Sequence, residues 1–188
     1  MENNIILLIG PSGSGKTTVA NYLETNYGMK MIQSYTTRAP RYPGETGHEF
    51  ISDEEFDQLK NIIAYTEFDG HRYAATQGQV DTHDIYVIDL TGARTFQHLY
   101  HGNKKVLIVY LKISPEECAK RMASRGDTDD GISGRIANDA VAFDGADMIL
   151  KDIFDTVLVL NNNTVPELAR MIAEFAGRAE RGIDDCGN

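Results

Sequence analysis

The 188-residue chain has no tryptophan and only two cysteines, Cys118 and Cys186. Two isolated cysteines set out neither a zinc site nor a disulfide framework, so a reducing cytoplasm is the expected compartment. No apolar run approaches the roughly 18 residues of a membrane-spanning helix. Met1-Glu2-Asn3-Asn4 has neither the basic stretch nor the small-residue cleavage site of a secretory signal, so none is expected. Positive charge is also scarce: 18 Lys and Arg stand against 28 Asp and Glu, for a net charge of −10. Such a chain is a poor partner for nucleic acid, whose binding rests on cations that neutralise backbone phosphates. A phosphate ligand would have to be held by a few local cations and by backbone N–H groups. His83, His98 and His101 fall at no metal-ligand spacing. Repeats and low-complexity segments are absent.

What is present is the alternation of strand and helix signals that marks an α/β class with a mostly parallel sheet. Ile5–Ile9 is apolar on both faces, as a covered central strand must be, and Gly10 ends it. A helix is expected over about 16–26 and a short strand over 29–33. Residues 34–50, rich in Thr, Pro, Gly and Arg, read as a functional loop. Ser52-x-x-Glu55 is a capping box for a helix to about Lys60. Strands follow at 62–68, 85–88 and 106–111, with an Asp69-Gly70 turn after the first. Ser114-Pro115-Glu116-Glu117 opens a helix to about Ser124. A polar loop at 126–131 precedes a helix over 132–143. A strand at 156–160, a capped helix from Thr164 to about Arg178 and a disordered tail complete the expectation. Asp127, Asp129 and Asp130 read as a solvated acidic loop, and Cys118 as a packing residue.

Gly10-Pro11-Ser12-Gly13-Ser14-Gly15-Lys16-Thr17 matches the phosphate-loop pattern G-x-x-x-x-G-K-[ST], placed between a strand and a helix as that motif requires. Glycines let the backbone curl until successive N–H groups point inward at phosphate oxygens, and the helix adds its positive N-terminus. Lys16 is placed to reach the β- and γ-phosphates and Thr17 to ligate Mg²⁺. This predicts an ATP site formed by Gly10, Ser12, Gly13, Ser14, Gly15, Lys16, Thr17 and Thr18. The phosphoryl acceptor is a separate question. No Asn-Lys-x-Asp is present to read guanine in a switch GTPase. Instead, Ser34-Tyr-Thr-Thr-Arg38-Ala-Pro-Arg41 sets two arginines three apart, suited to bidentate grip of an anion. Arg72 follows in the same stretch, and Arg121, Arg125 and Arg135 form a second group.

These motifs resemble the guanylate kinase family over about residues 5–177. The resemblance is carried by Gly-Pro-Ser-Gly-x-Gly-Lys, by Ser-x-Thr-Thr-Arg-x-Pro-Arg at 34–41, by Gly44-Glu45 and by Phe50-Ile-Ser-x-x-Glu55-Phe56. Gly70-His-Arg-Tyr73, Ile88-Asp89 with Gly92, Arg121-x-x-x-Arg125-Gly126 and Ile132-x-x-Arg135 continue it. It implies a P-loop nucleoside monophosphate kinase fold in one domain, 1–182, ahead of a tail at 183–188. A parallel core (1–33, 81–121 and 139–182) would carry a monophosphate-binding subdomain at 34–80 and a lid at 122–138. It implies ATP and Mg²⁺ as cofactors, a small-molecule nucleotide as partner, and a monomer or homodimer. Ser34 would touch the acceptor base. Arg38, Arg41 and Tyr73 would hold its phosphate. Arg125 and Arg135 would join Lys16 in stabilising the transferring group, and Asp89 would lie near the base and the metal-bound waters.

The chain departs from the family where the base is read. The 45–50 segment is about three residues short, and His48 stands where a phosphate-binding Tyr is usual. The family's guanine-reading Glu falls at Ala64. Glu67 is an odd number of residues away and points to the other face. A second family Asp is Val87, and Gly plus a hydroxyl residue after Tyr73 are Ala74 and Ala75. The lid is one residue short. GMP or dGMP is therefore one expected acceptor. Another phosphorylated acceptor such as ribose 1,5-bisphosphate is a second, and a non-catalytic guanylate-kinase-like interaction module a third reading.

Overall fold

The computed structural model describes residues 3–40, 43–68, 70–161 and 163–178. Its first strand, β1 (Asn4–Ile9), is buried along its whole length. After it come α1 (Lys16–Tyr27), β2 (Ser34–Thr36), β3 (His48–Phe50), α2 (Asp53–Phe56), β4 (Ile62–Phe68) and β5 (His71–Thr76). The order continues with α3 (Gln77–Thr82), β6 (Ile85–Val87), α4 (Leu90–Leu99), β7 (Lys105–Leu111) and α5 (Pro115–Ser124). α6 (Asp129–Ala142), α7 (Ala146–Ile153), β8 (Val157–Leu160) and α8 (Val165–Phe175) complete it.

Two sheets result. β6-β1-β7-β8 is parallel throughout, while β3-β2-β5-β4 mixes one parallel pair with antiparallel ones. Because side chains alternate along β1, the parallel sheet feeds two cores. Ile6 and Leu8 pack with Val19 and Leu23 of α1, Met122 of α5 and Ile172 of α8. Ile5, Leu7 and Ile9 pack with Phe96 of α4, Leu150 of α7 and Ala64 and Ala75 of the second sheet. The second sheet is thus fastened to the first by shared apolar burial, with α4 packed on β4. The parallel strands β1 and β6 both end at the same edge, where a doubly wound sheet binds its ligands. Gly10 follows one and Asp89 the other.

The α/β class and parallel core are as expected. The strand expected over 29–33 is reduced to one bridge, Met31 to Ile85. The helix opened by Ser52 stops at Phe56, although its capping box is complete. Thr128 accepts from the Gly131 N–H and starts α6 inside the expected 126–131 loop. The tail expected to be disordered lies within 179–188, outside the described residues.

Phe96 is fully buried and stacks on Tyr100 at 4.8 Å between centroids. Phe96→Ala should therefore cost about 3–5 kcal/mol. In a urea titration the midpoint should fall with an unchanged slope.

Candidate active site

The phosphate loop joins β1 to α1, and two close approaches shape it. A Cβ on Gly10 would stand 2.8 Å from Ser14 Oγ and 2.9 Å from the Leu111 carbonyl. On Gly13, where φ is +76°, it would stand 2.7 Å from the Cys118 carbonyl. Both positions therefore need glycine. Gly15, at φ 94°, caps α1 with no side-chain hydrogen bond. The first N–H groups of the helix are thus left for another acceptor.

Lys16 opens α1 and folds back so that Nζ donates to the Gly10 carbonyl at 2.7 Å and the Pro11 carbonyl at 2.9 Å. Burial pulls its pKa down to about 8, against the opposing pull of Asp139, Cys118 and Asp89. A half-buried ammonium resting on carbonyls, beside bare helical N–H groups, fits a polyphosphate. Thr17 is exposed next to it and lines the same groove. One hydroxyl beside phosphate oxygens fits Mg²⁺, which keeps most of its waters in kinase sites. Among the described residues no group of three or more His, Cys, Asp or Glu could hold a metal ion.

That groove, about 860 Å³, runs along Ser12–Thr18 and is walled by Arg121, Arg125 and Arg135. Asn163, Thr164 and Leu168 also line it. Asp127 ties two of the arginines together. It accepts from Arg125 at 3.0 and 2.7 Å and from Arg135 Nη1 at 2.7 Å. Arg121 bridges Glu117 and the Ser14 carbonyl.

A second cavity of about 220 Å³ shares Ser12, Lys16, His48, Phe68 and Val87 with the groove. Its volume is below the roughly 300–1,000 Å³ of a complete ligand site. It is therefore large enough for a planar ring but needs the adjoining groove for a phosphate tail. Tyr65, Phe68, Tyr73 and Tyr86 give it aromatic walls. Ser34 and His48, directly paired in the β2–β3 register, are joined by a 2.8 Å bond between Oγ and Nδ1. His48 also meets the Tyr73 ring edge-on. Asp89 caps α4 by accepting from the Gly92 N–H at 2.6 Å, and its Oδ1 accepts as well from Thr66 Oγ1 at 3.2 Å. Burial, reinforced by Asp89, pushes the Tyr86 phenol up, so it stays protonated.

Lys16, Thr17, Thr18, Ser12, Arg125 and Arg135 thus converge on one groove. Ser34, His48, Tyr73 and Asp89 converge on the adjoining cavity. Arg38 does not line either one. Its guanidinium takes Glu45 at 2.8 and 3.1 Å, with the Phe50 ring beneath. Burial opposes its charge, but Glu45 and Tyr73 outweigh that and raise its pKa. Arg41 lies outside the described residues. Arg72 is taken by Asp53 and Asp57, each at 2.6 Å.

Asp139 had no signal in the motifs. From α6 its carboxylate accepts the Ser12 N–H at 2.7 Å, across 127 positions of sequence, and it lines the cavity beside Lys16. Thr66 and Tyr86 were also unmarked, though their strand positions put them on the inner face. Asp127, read above as solvated, is instead the half-buried anchor of two arginines.

The family profile described as an AAA domain matches residues 6–142. Guanylate kinase from Trichormus variabilis is 33% identical over 175 residues, covering 84% of this chain and 86% of that one. The enzyme of that name from Streptomyces kasugaensis is 32% identical over 180 residues, covering 88% and 83%. The chain belongs to the guanylate kinase family. The crystal structure of guanylate kinase from Anaplasma phagocytophilum superposes with a TM-score of 0.61 at 25% identity, over 94% of this chain and 86% of that one. A sugar kinase from Janibacter shares the fold, with a TM-score of 0.56 at 15% identity over 94% and 96%. Among the described residues no helix is long and apolar enough to cross a membrane.

Two outcomes test this geometry. Asp139→Asn removes the charge that holds the Ser12 N–H and opposes an incoming anion. It should tighten a non-hydrolysable triphosphate about tenfold by calorimetry, the equivalent of one charge-assisted hydrogen bond. Weaker binding would mean that Asp139 serves the bound state instead. For Lys16, the native pKa of about 8 lies below the ordinary 10.5. Between those values the unfolded chain holds more protons, so stability rises with pH there. Lys16→Met should abolish that rise and stabilise the ligand-free protein at pH 7 by on the order of 3 kcal/mol in denaturant titrations.

Proposed function

We propose that this chain transfers the γ-phosphoryl group of ATP to a nucleoside monophosphate, GMP or dGMP, in the cytoplasm. The observation that carries the reading is the meeting of two ligand spaces at Lys16. One is cationic and shaped for a polyphosphate; the other is aromatic-walled and shaped for a base. Relatives named guanylate kinase, aligned over most of the chain, support it. The aromatic walls favour a base over a bare sugar phosphate.

In this reading the second sheet, residues 34–80, holds the monophosphate, and 122–138 acts as a lid. In it Ser34 touches the acceptor base, and Arg38, Arg41 and Tyr73, with His48, hold the acceptor phosphate, Arg38 exchanging Glu45 for it. An acceptor oxygen bonds to the γ-phosphorus as the bond from that phosphorus to the β-phosphate oxygen breaks. The attacking oxygen is already anionic, so no side chain need remove a proton. The work is alignment and neutralisation. Lys16 leaves the Gly10 and Pro11 carbonyls for the β- and γ-oxygens. Arg125 and Arg135 leave Asp127 as the lid closes and excludes water. Mg²⁺, held through Thr17, would offset charge on the phosphate oxygens.

ADP formation from Mg-ATP should rise sharply with GMP or dGMP and little with AMP, CMP, UMP, dTMP or ribose 1,5-bisphosphate. Arg135→Ala should lower kcat about 10²- to 10³-fold, and Lys16→Met should lower it further. Stimulation by another panel member would overturn the guanine assignment. No stimulation by any would overturn the kinase reading and favour a binding module.

A further inference from the structure

With Ala64 where the family places a carboxylate, the cavity needs another acceptor for the donor edge of guanine. Ala64 is buried among apolar groups of the core, and Glu67 is exposed and bonded to Tyr65. Neither can serve. We propose that Thr66 does, as the specificity-determining partner of Asp89; this rests on the nucleotide kinase reading above.

Thr66 lies two residues beyond Ala64 on β4, on the same strand face and opposite Tyr73 in the register. It is 8% exposed and lines the cavity. A hydroxyl has one proton to give and two lone pairs. Thr66 gives its proton to Asp89 Oδ1, which leaves its lone pairs as acceptors. Oδ1 is already filled by two donors, the Thr66 hydroxyl and the Gly92 N–H. Among the described residues nothing donates to Oδ2. The cavity wall therefore presents two neighbouring acceptors, Asp89 Oδ2 and Thr66 Oγ1, and the bond from Thr66 Oγ1 to the carboxylate's other oxygen, Oδ1, ties them together.

Two adjacent acceptors suit a base edge with two adjacent donors. Guanine has that edge in its N1–H and 2-amino groups. Adenine and cytosine each bring one amino donor next to a ring-nitrogen acceptor, which would face an acceptor of the same kind. A uracil or thymine edge has a single donor. A site made of acceptors rejects such edges because its buried polar atoms are left unpaired.

The test compares GMP with inosine monophosphate, which lacks only the 2-amino group, in the wild type, Thr66→Val and Thr66→Ser. The wild type should prefer GMP in kcat/KM. Thr66→Val, nearly isosteric but without lone pairs, should cut that preference about tenfold, the worth of one hydrogen bond. The loss should appear in KM for GMP, with KM for ATP and the melting midpoint unchanged. Thr66→Ser should keep the preference. Full retention of the preference in Thr66→Val, or equal losses for both nucleotides, would overturn the role of Thr66 while leaving the kinase reading intact. A wild type that uses neither nucleotide, or does not distinguish them, would overturn the guanine reading and this inference with it.

Discussion

The site depends on the close seating of the phosphate loop over the ends of β1 and β7 and over α5. Gly10 rides on Leu111 and Gly13 on Cys118 with no room for a side chain. That seating points the N-terminus of α1 at the ligand space and holds the half-buried Lys16 beneath it, where desolvation lowers its pKa. Burying an ammonium costs the ligand-free protein stability. An anion at the same point offsets that cost, so part of the binding energy is built in when the chain folds. The apolar cores on either side of β1 keep the loop from relaxing away from this arrangement.

A net charge of −10 would repel a nucleotide if it were spread evenly over the surface. Instead the cations near the site are each held by a local anion or dipole. Arg38 rests on Glu45, Arg125 and Arg135 rest on Asp127, and Lys16 rests on two carbonyls. Asp139 does the reverse and occupies an N–H of the loop itself. These contacts keep the cations oriented without a ligand. Arg125 and Arg135 meet Asp127 near solvent, where such pairs are weak, whereas the Arg38–Glu45 pair is buried.

The phosphate loop and the class of the fold were legible in the sequence because each is a local pattern. A glycine-rich turn between an apolar strand and a helix has few other uses, and Ser52, Ser114 and Thr164 cap the helices that follow them. The contacts that depend on distant parts of the chain were not legible. Asp139 and Ser12 meet only because α6 crosses over the loop. Asp127 looked like one more acidic loop residue until Arg125 and Arg135 closed on it. The 29–33 segment has strand composition, but only Met31 finds a partner. Thr66 follows the expected alternation, yet nothing local distinguishes a threonine that donates to Asp89 from one that fills space.

A cationic groove and an aromatic-walled cavity meet at Lys16. A single molecule with adenosine and guanosine joined through their 5′ oxygens by five phosphates spans such a pair. Measured by calorimetry, it should bind about a hundredfold or more tightly than either ATP or GMP alone, because one end presents the other at high effective concentration. It should also bind tighter than the analogue with adenosine at both ends. Affinity no better than that of ATP would contradict the account, since the two spaces would then not be occupied together.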